Sequence, residues 1–191
     1  MSKIPASWEK ARGTDEFVSG GDVTGIDLSD ADLSDIRLEP VFAEQGNFEG
    51  AILSDFRVVD GDFAGASFLG ANFEGARFFD CRLFGVRCSG CIMTRAEFLA
   101  CHMPRANLDG ALLQRAVLDN TTLDGASLVE ADLTKASAKG ATFDDADLTG
   151  ADLTGADLTK ATFRRAKLDG AIFTGATLDG AVFDPGRTPT P

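Results

Sequence analysis

From Val23 to Phe183 every fifth residue falls in one unbroken register, with no insertion across 161 residues. Of the 33 residues so placed, 26 are Leu or Phe; the others are Val23, Ala43, Val58, Cys88, Met93, Met103 and Ala138. Two residues earlier, 28 of the 33 units carry Ala, Gly, Cys or Thr, so each unit pairs a large apolar group with a small one. A period of five is neither the helical 3.6 nor the strand 2.0, and an amphipathic helix would smear these groups around its surface. Self-similarity of this length and regularity specifies a solenoid, whose units are too small to fold alone and bury their apolar faces against one another.

If each unit forms one side of a four-sided coil, one turn takes 20 residues and the chain makes about eight coils, a rod roughly 39 Å long at the spacing of parallel strands. Four Leu or Phe side chains per coil then converge on a narrow axis, and the small residues fill what remains. Gly, Asp, Asn, Lys or Arg recurs two positions after the central residue, where the backbone must turn a corner and Gly or Asp suits the dihedrals required. The pattern is cleanest in ADLTGADLTGADLTK, residues 146–160. It resembles the A(D/N)LXX motif of the pentapeptide repeat family over Val23 to Phe183. The resemblance implies an all-β fold, a right-handed quadrilateral parallel β-helix. The expected division is a cap over residues 1–20, the β-helix over 21–184 and a Pro-rich tail over 185–191.

The chain of 191 residues has the size of one domain. No apolar run follows a basic N-terminal segment and no 18-residue apolar span occurs, so the expected location is the cytoplasm. The register places Cys81, Cys91 and Cys101 at the small inward position and Cys88 at a central one, where cysteine serves as a small buried hydrophobe. Free thiols are expected, although Cys81 and Cys101 would stack on adjacent coils. His102, beside an inward Cys101, points outward.

Nothing in this pattern recommends catalysis. There is one histidine and no tyrosine, and no P-loop, dinucleotide fingerprint or metal-ligand spacing is present. An uninterrupted rod leaves no long loop to shape a pocket. The expectation is a protein that is not an enzyme and takes no cofactor.

Function must then be read from the outward residues. The net charge is −12, unevenly spread: −10 over residues 22–80, +3 over 81–115, −6 over 116–160 and +1 over the rest of the repeat and tail. This balance opposes direct binding of nucleic acid and favours a basic partner. Some bacterial members of the family are acidic rods that imitate duplex DNA and occupy DNA gyrase, so the resemblance implies a topoisomerase as one candidate partner. Asp22, Asp27, Asp32, Asp132, Asp147, Asp152 and Asp157 are the candidate acidic surface, spread over several sides. Over the whole rod the charge density is one per about 3.3 Å, half that of duplex DNA at one per about 1.7 Å. A basic belt of Arg82, Arg87, Arg95 and Arg115 interrupts it.

A second candidate surface is apolar. Val59, Phe79 and Leu99 stand 20 apart on one expected face, Ile52, Ile92 and Leu112 occupy an outward column on the neighbouring face, and all six are expected near one edge as a protein interface. Arg37, Arg57 and Arg77 form a further ladder, with Asp35 and Asp55 expected to neutralise part of it. At the ends, Trp8, Phe17 and Val18 precede the first unit, and PASWEKAR predicts a short helix from near Ser7 that caps the rod. Pro185, Pro189 and Pro191 cannot sustain a helix. Family members that protect topoisomerases commonly carry a C-terminal helical dimerisation module, for which AVFDPGRTPTP offers no candidate. Stacking of final coils through Phe173, Val182 and Phe183 is the expected route to a homodimer. Pro40, Ala43 and Ala138 break the size pattern, as local bulges or as cavities.

Overall fold

Residues twenty apart pair in parallel along the whole repeat. The computed structural model describes residues 3–189, so Met1, Ser2, Thr190 and Pro191 of the cap and tail segments lie outside the described residues. The result is a right-handed quadrilateral parallel β-helix of about eight coils. Its first face carries the ladder Asp22, Phe42, Asp62, Arg82, His102, Thr122, Thr142, Thr162 and Val182. The second runs from Asp27 to Lys167 and the third from Asp32 to Ile172. The fourth holds Arg37, Arg57, Arg77, Glu97, Val117, Ser137, Asp157 and Thr177.

Each coil is tied in both axial directions. The central residue donates its N–H to the next coil and the residue before it donates to the previous one: Leu28 N–H to Asn47 O at 2.7 Å, and Asn47 N–H to Ile26 O at 2.8 Å. Every corner residue from Gly25 to Gly180 has a positive φ except Pro40, whose ring fixes φ near −65°; there the chain turns through a cis Glu39–Pro40 peptide. Glycine meets this demand without strain at Gly25, but Ala100 and Arg115 occupy the same left-handed region at some cost.

Central Leu and Phe residues fill the axis. Rings twenty apart stack face to face: Phe48 on Phe68 at 4.7 Å, Phe143 on Phe163 at 4.9 Å, and Phe163 on Phe183 at 4.8 Å between centroids. The small inward residue is obligatory where a large ring passes. A Cβ on Gly61 would lie 2.7 Å from the Phe63 ring and 2.6 Å from Val58 Cγ1. All four cysteines are buried and free. Three thiols donate back 23 residues, Cys81 to Val58 O, Cys91 to Phe68 O and Cys101 to Phe78 O, and Thr121 makes the same bond to Phe98 O. A hydrogen bond with Cys81, aided by burial, pushes the Cys101 thiol well up, and burial does the same to Cys88.

Ala43 and Ala138 keep the register. Ala43 N–H reaches Asp62 O at 2.7 Å and Ala138 N–H reaches Asp157 O at 2.8 Å, so neither marks a bulge. At the N-terminal end a helix, α1 (Ala6–Glu9), starts one residue before Ser7 and carries the fully buried Trp8, whose Nε1–H donates to Gly20 O at 3.0 Å. At the other end the last coil leaves Leu168, Leu178 and Phe183 only partly buried.

Candidate interaction surface

All seven acids of the candidate surface share one structural task. Each accepts the backbone N–H of the residue two ahead: Asp22 from Thr24, Asp27 from Ser29, Asp32 from Ser34, Asp132 from Thr134, Asp147 from Thr149, Asp152 from Thr154 and Asp157 from Thr159, at 2.9–3.1 Å. These are Asx turns, which lock the corner with the side chain in place of backbone. Four of the seven also face a cation, Asp27 with Lys3, Asp32 with Arg12, Asp147 with Lys167 and Asp157 with Lys139. They lie on all four faces, and no single side gathers them.

The turn bonds favour the ionised carboxylate. The Thr24 and Ser29 N–H groups, with their hydroxyls, hold the carboxyls of Asp22 and Asp27 below the usual range. The Ser34 and Thr159 hydroxyls do this for Asp32 and Asp157, and the Thr149 hydroxyl and then Lys167 hold Asp147 down to about 2. An unfolded chain takes up protons at about 3.9 while these folded groups resist. Their stabilisation is therefore complete above pH of about 4 and is lost as pH falls toward about 2. Urea midpoints across this range should drop, and Asp147→Asn should flatten part of the drop; a midpoint constant down to pH of about 2 would contradict the assignment.

A second set of acids has no such task. Asp30, Asp35, Asp55, Asp60 and Asp80 occupy left-handed corners with φ between 53° and 58°. Among the described residues their carboxylates accept no hydrogen bond and join no ion pair. Asp35 and Asp55 rim one edge of the fourth face, and Asp60 and Asp80 rim the other. The expected pairing of Asp35 and Asp55 with the arginine ladder does not form; Arg37 meets Asp15 from the cap segment, and Arg77 meets Glu97 on the next coil at 3.2 Å. The signal that separates the two acid sets is in the sequence. Asp followed two residues on by Ser or Thr is a turn cap, whereas Asp at the corner position is held only by its dihedrals.

The apolar candidates form two ladders, on the third and fourth faces, and these do not meet at one edge. Ile52, Ile92 and Leu112 project from the middle of the third face with Asn72 between them, 39–42% exposed. Val59, Phe79 and Leu99 end strands on the fourth face, at its corner with the first. The Arg57, Arg77 and Glu97 column separates the two sets. Phe79 is 51% exposed and Val59 and Leu99 are half-buried. Sequence reading missed Phe84, 46% exposed, over which Arg105 lies at 5.9 Å from the ring centroid. Of the end-contact candidates, Phe183 lies at the open end, Phe173 is buried, and Val182 faces outward on the first face.

Among the described residues no group of His, Cys, Asp and Glu is placed to hold a metal ion, and no helix is long and apolar enough to cross a membrane. A concavity at the N-terminal end is lined by Lys3, Ile4 and Ser29 to Asp32.

A four-sided coil of parallel five-residue units, cornered by Asx turns and filled with Leu, Phe and Ala, defines a class of repeat solenoid. The chain belongs to the pentapeptide repeat family, whose pattern matches residues 47–83, 81–120, 111–150 and 146–184. Among solved structures it is similar to HetL, a pentapeptide repeat protein involved in heterocyst differentiation regulation from the cyanobacterium Nostoc, at 24% identity over 93% of this chain and 94% of that one, with a TM-score of 0.39. It is also similar to QnrB1, a plasmid-mediated fluoroquinolone resistance protein, at 18% identity over 86% of each chain, TM-score 0.48. A pentapeptide repeat protein of the Arabidopsis thaliana thylakoid lumen matches at 23% identity over 78% of this chain and 72% of that one, TM-score 0.24. A search of curated protein sequences finds no match.

Proposed function

We propose that this protein is a non-catalytic interaction rod whose first three coils imitate duplex DNA and occupy the DNA-binding surface of a type II topoisomerase, DNA gyrase in a bacterial cytoplasm, modulating or protecting it. The observation that carries this reading is local charge density. Residues 22–80 hold thirteen acids and three arginines, net −10, on about three coils, so one net charge falls every 1.4 Å or so of axis. Duplex DNA carries one per about 1.7 Å. Averaged over the whole rod the match disappears; confined to these coils it is close. Five corner acids whose carboxylates make no bond among the described residues, Asp30, Asp35, Asp55, Asp60 and Asp80, lie in this segment, free to meet basic groups of a partner. The same negative field repels nucleic acid itself.

In this reading residues 21–184 are the rod, 1–20 its cap and 185–191 a tail. The open last coil, with Leu168, Leu178 and Phe183, supports a homodimer by end-to-end stacking. The experiment is a gyrase supercoiling assay with and without a quinolone. The full chain should inhibit supercoiling at micromolar levels or relieve the drug; neither effect would remove the topoisomerase from the reading.

One observation favours a second reading, an adaptor for another protein: Ile52, Ile92 and Leu112 expose an aliphatic column on the third face. Ile92→Asp should then abolish partner capture without altering the fold.

A further inference from the structure

One edge of the rod changes sign along its length. At the corner between the third and fourth faces Asp35 and Asp55 come first, Gly75 follows, and then Arg95, Arg115 and Lys135, all with φ between 55° and 69°. Glycine takes this left-handed region freely, as Gly155 does on the coil after Lys135. Three long cations instead accept its strain on three successive coils, and they return little to the fold. Arg95 reaches Glu74 only at 3.9 Å. Among the described residues the side chains of Arg115 and Lys135, both exposed, make no hydrogen bond and no ion pair.

What stands beside these cations is apolar or already bonded. Ile92 and Leu112 project from the third face on adjacent coils, 39% and 41% exposed. Between them and the corner, Thr94 donates to Gln114 at 2.9 Å and Gln114 donates to Asp132 at 2.6 Å, so these polar groups satisfy one another. On the fourth face Glu97 is held by Arg77 at 3.2 Å, and Val117 follows it in the column, half-buried. The edge is left with unmatched positive charge and an aliphatic strip alongside.

We infer that this edge docks an amphipathic α-helix of a partner protein, laid along the rod with an acidic stripe over Arg95, Arg115 and Lys135 and an aliphatic stripe over Ile92 and Leu112. The inference rests on the adaptor reading, whose partner it names, and is independent of the topoisomerase. Spacing selects the element. Coils repeat at about 4.8 Å, so three corners span about 10 Å. Residues i, i+3 or i+4 and i+7 of a helix rise about 5 and then about 10.5 Å and keep step with them. Alternate residues of an extended strand repeat at about 6.6 Å and fall out of step within two coils. A nucleic acid would run on past Gly75 to Asp55 and Asp35, which repel its phosphates, whereas a helix of about three turns ends short of them. Such a contact falls below the roughly 800 Å² per partner of a standard interface. Binding is accordingly micromolar and weakens with salt.

The probe is a labelled, alanine-based helical peptide of about 18 residues, with Glu at i, i+4 and i+7 and Leu along the adjoining stripe. It is titrated with the full chain to about 200 µM and read by fluorescence anisotropy. The peptide should bind, and its counterpart with Lys for Glu should not. Arg115→Gly/Lys135→Gly should weaken binding about tenfold or more with the urea midpoint unchanged or higher, since glycine relaxes both corners. Arg115→Glu/Lys135→Glu, at corners of the kind Glu130 already occupies, should exchange the preference between the two peptides. Ile92→Asp should abolish binding of the acidic peptide. Absence of binding, equal binding of the two peptides, no exchange in the glutamate variant, or indifference to the glycine variant or to Ile92→Asp overturns the inference. If the acidic peptide never binds while Ile92→Asp still abolishes capture of a native partner, the adaptor reading stands and this inference falls. A labelled single-stranded oligonucleotide held by the wild type and released by the glycine variant would also overturn it, assigning the edge to nucleic acid.

Discussion

Phe78→Ala should lower the unfolding free energy by about 3–5 kcal/mol. The ring is 1% exposed. It stacks on Phe98 at 5.1 Å and 17°, and meets Phe56 at 6.0 Å, Phe63 at 5.7 Å and Phe73 at 5.8 Å. What keeps the cost in this range is the inability of this core to collapse. Ladder bonds fix the coil spacing, the neighbouring rings of Phe56, Phe63, Phe73 and Phe98 are held in their own stacks, and the cavity stays open. Because each coil contacts only its neighbours, the defect also weakens coupling between the two halves of the rod. Phe78→Leu, which keeps most of the volume, should cost about 1–1.5 kcal/mol. Urea unfolding followed by circular dichroism measures both; a loss below about 1 kcal/mol for the alanine variant would mean that the coils do relax.

Trp8→Ala should cost a similar amount, about 3–5 kcal/mol, at the end of the rod instead of its middle. Trp8 is fully buried although it belongs to a helix of only four residues. That helix is too short to be stable by itself. Its order derives from the indole lying over the first coil, with Ala11 buried beside it. Truncation removes the packing and leaves Gly20 O without its donor. Trp8→Phe separates the two contributions, since it keeps an aromatic ring and loses only the hydrogen bond, worth about 1 kcal/mol. Removing the cap further bares the first coil's backbone groups and core, so Trp8→Ala should aggregate on warming where the wild type does not. As the sole tryptophan, Trp8 reports its own environment by fluorescence. Wild-type stability in the alanine variant would contradict a capping role.

Much of this architecture is legible in the sequence because one constraint acts at every unit. A Leu or Phe every five residues, with Ala or Gly two before it, has a single solution in which all of them are buried, and the structure adopts it from Leu28 to Phe163 without a bulge. Even Ala43 and Ala138 obey it, since register is held by backbone bonds at residues 20 apart and not by side-chain size. What was not legible depends on direction. A period of five with a turn of 20 reports which residues face out and which side of the square they share, but not whether they project from the middle of that side or from its corner. Ile52 and Val59 are only seven residues apart, yet one projects from the middle of the third face and the other lies at the far end of the fourth. Nor does periodicity choose ionic partners. Arg37 takes Asp15, from a segment outside the repeat.

The surface acids show the same limit in a more consequential form. Asp147 and Asp152 belong to the most regular stretch of the chain, and regularity makes them conspicuous as candidates. Regularity is also the mark of fold chemistry: each closes a turn with a threonine N–H. The corner acids Asp30, Asp35, Asp55, Asp60 and Asp80 look like substitutes for glycine in a turn, and only the absence of any bond to their carboxylates among the described residues makes them candidates for a partner. Glycine or asparagine would turn those corners equally well, which leaves their charge without a structural reason.

The most direct test of the DNA-imitation account is displacement of a labelled duplex from gyrase by the full chain and by a variant with Asp30, Asp35, Asp55, Asp60 and Asp80 all changed to Asn. Asparagine tolerates the left-handed corner, so the variant should fold with an unchanged urea midpoint. The account predicts displacement by the wild type, weakening with salt, and a loss of about tenfold or more in the variant. Equal displacement by the two proteins, or none by either, would contradict it.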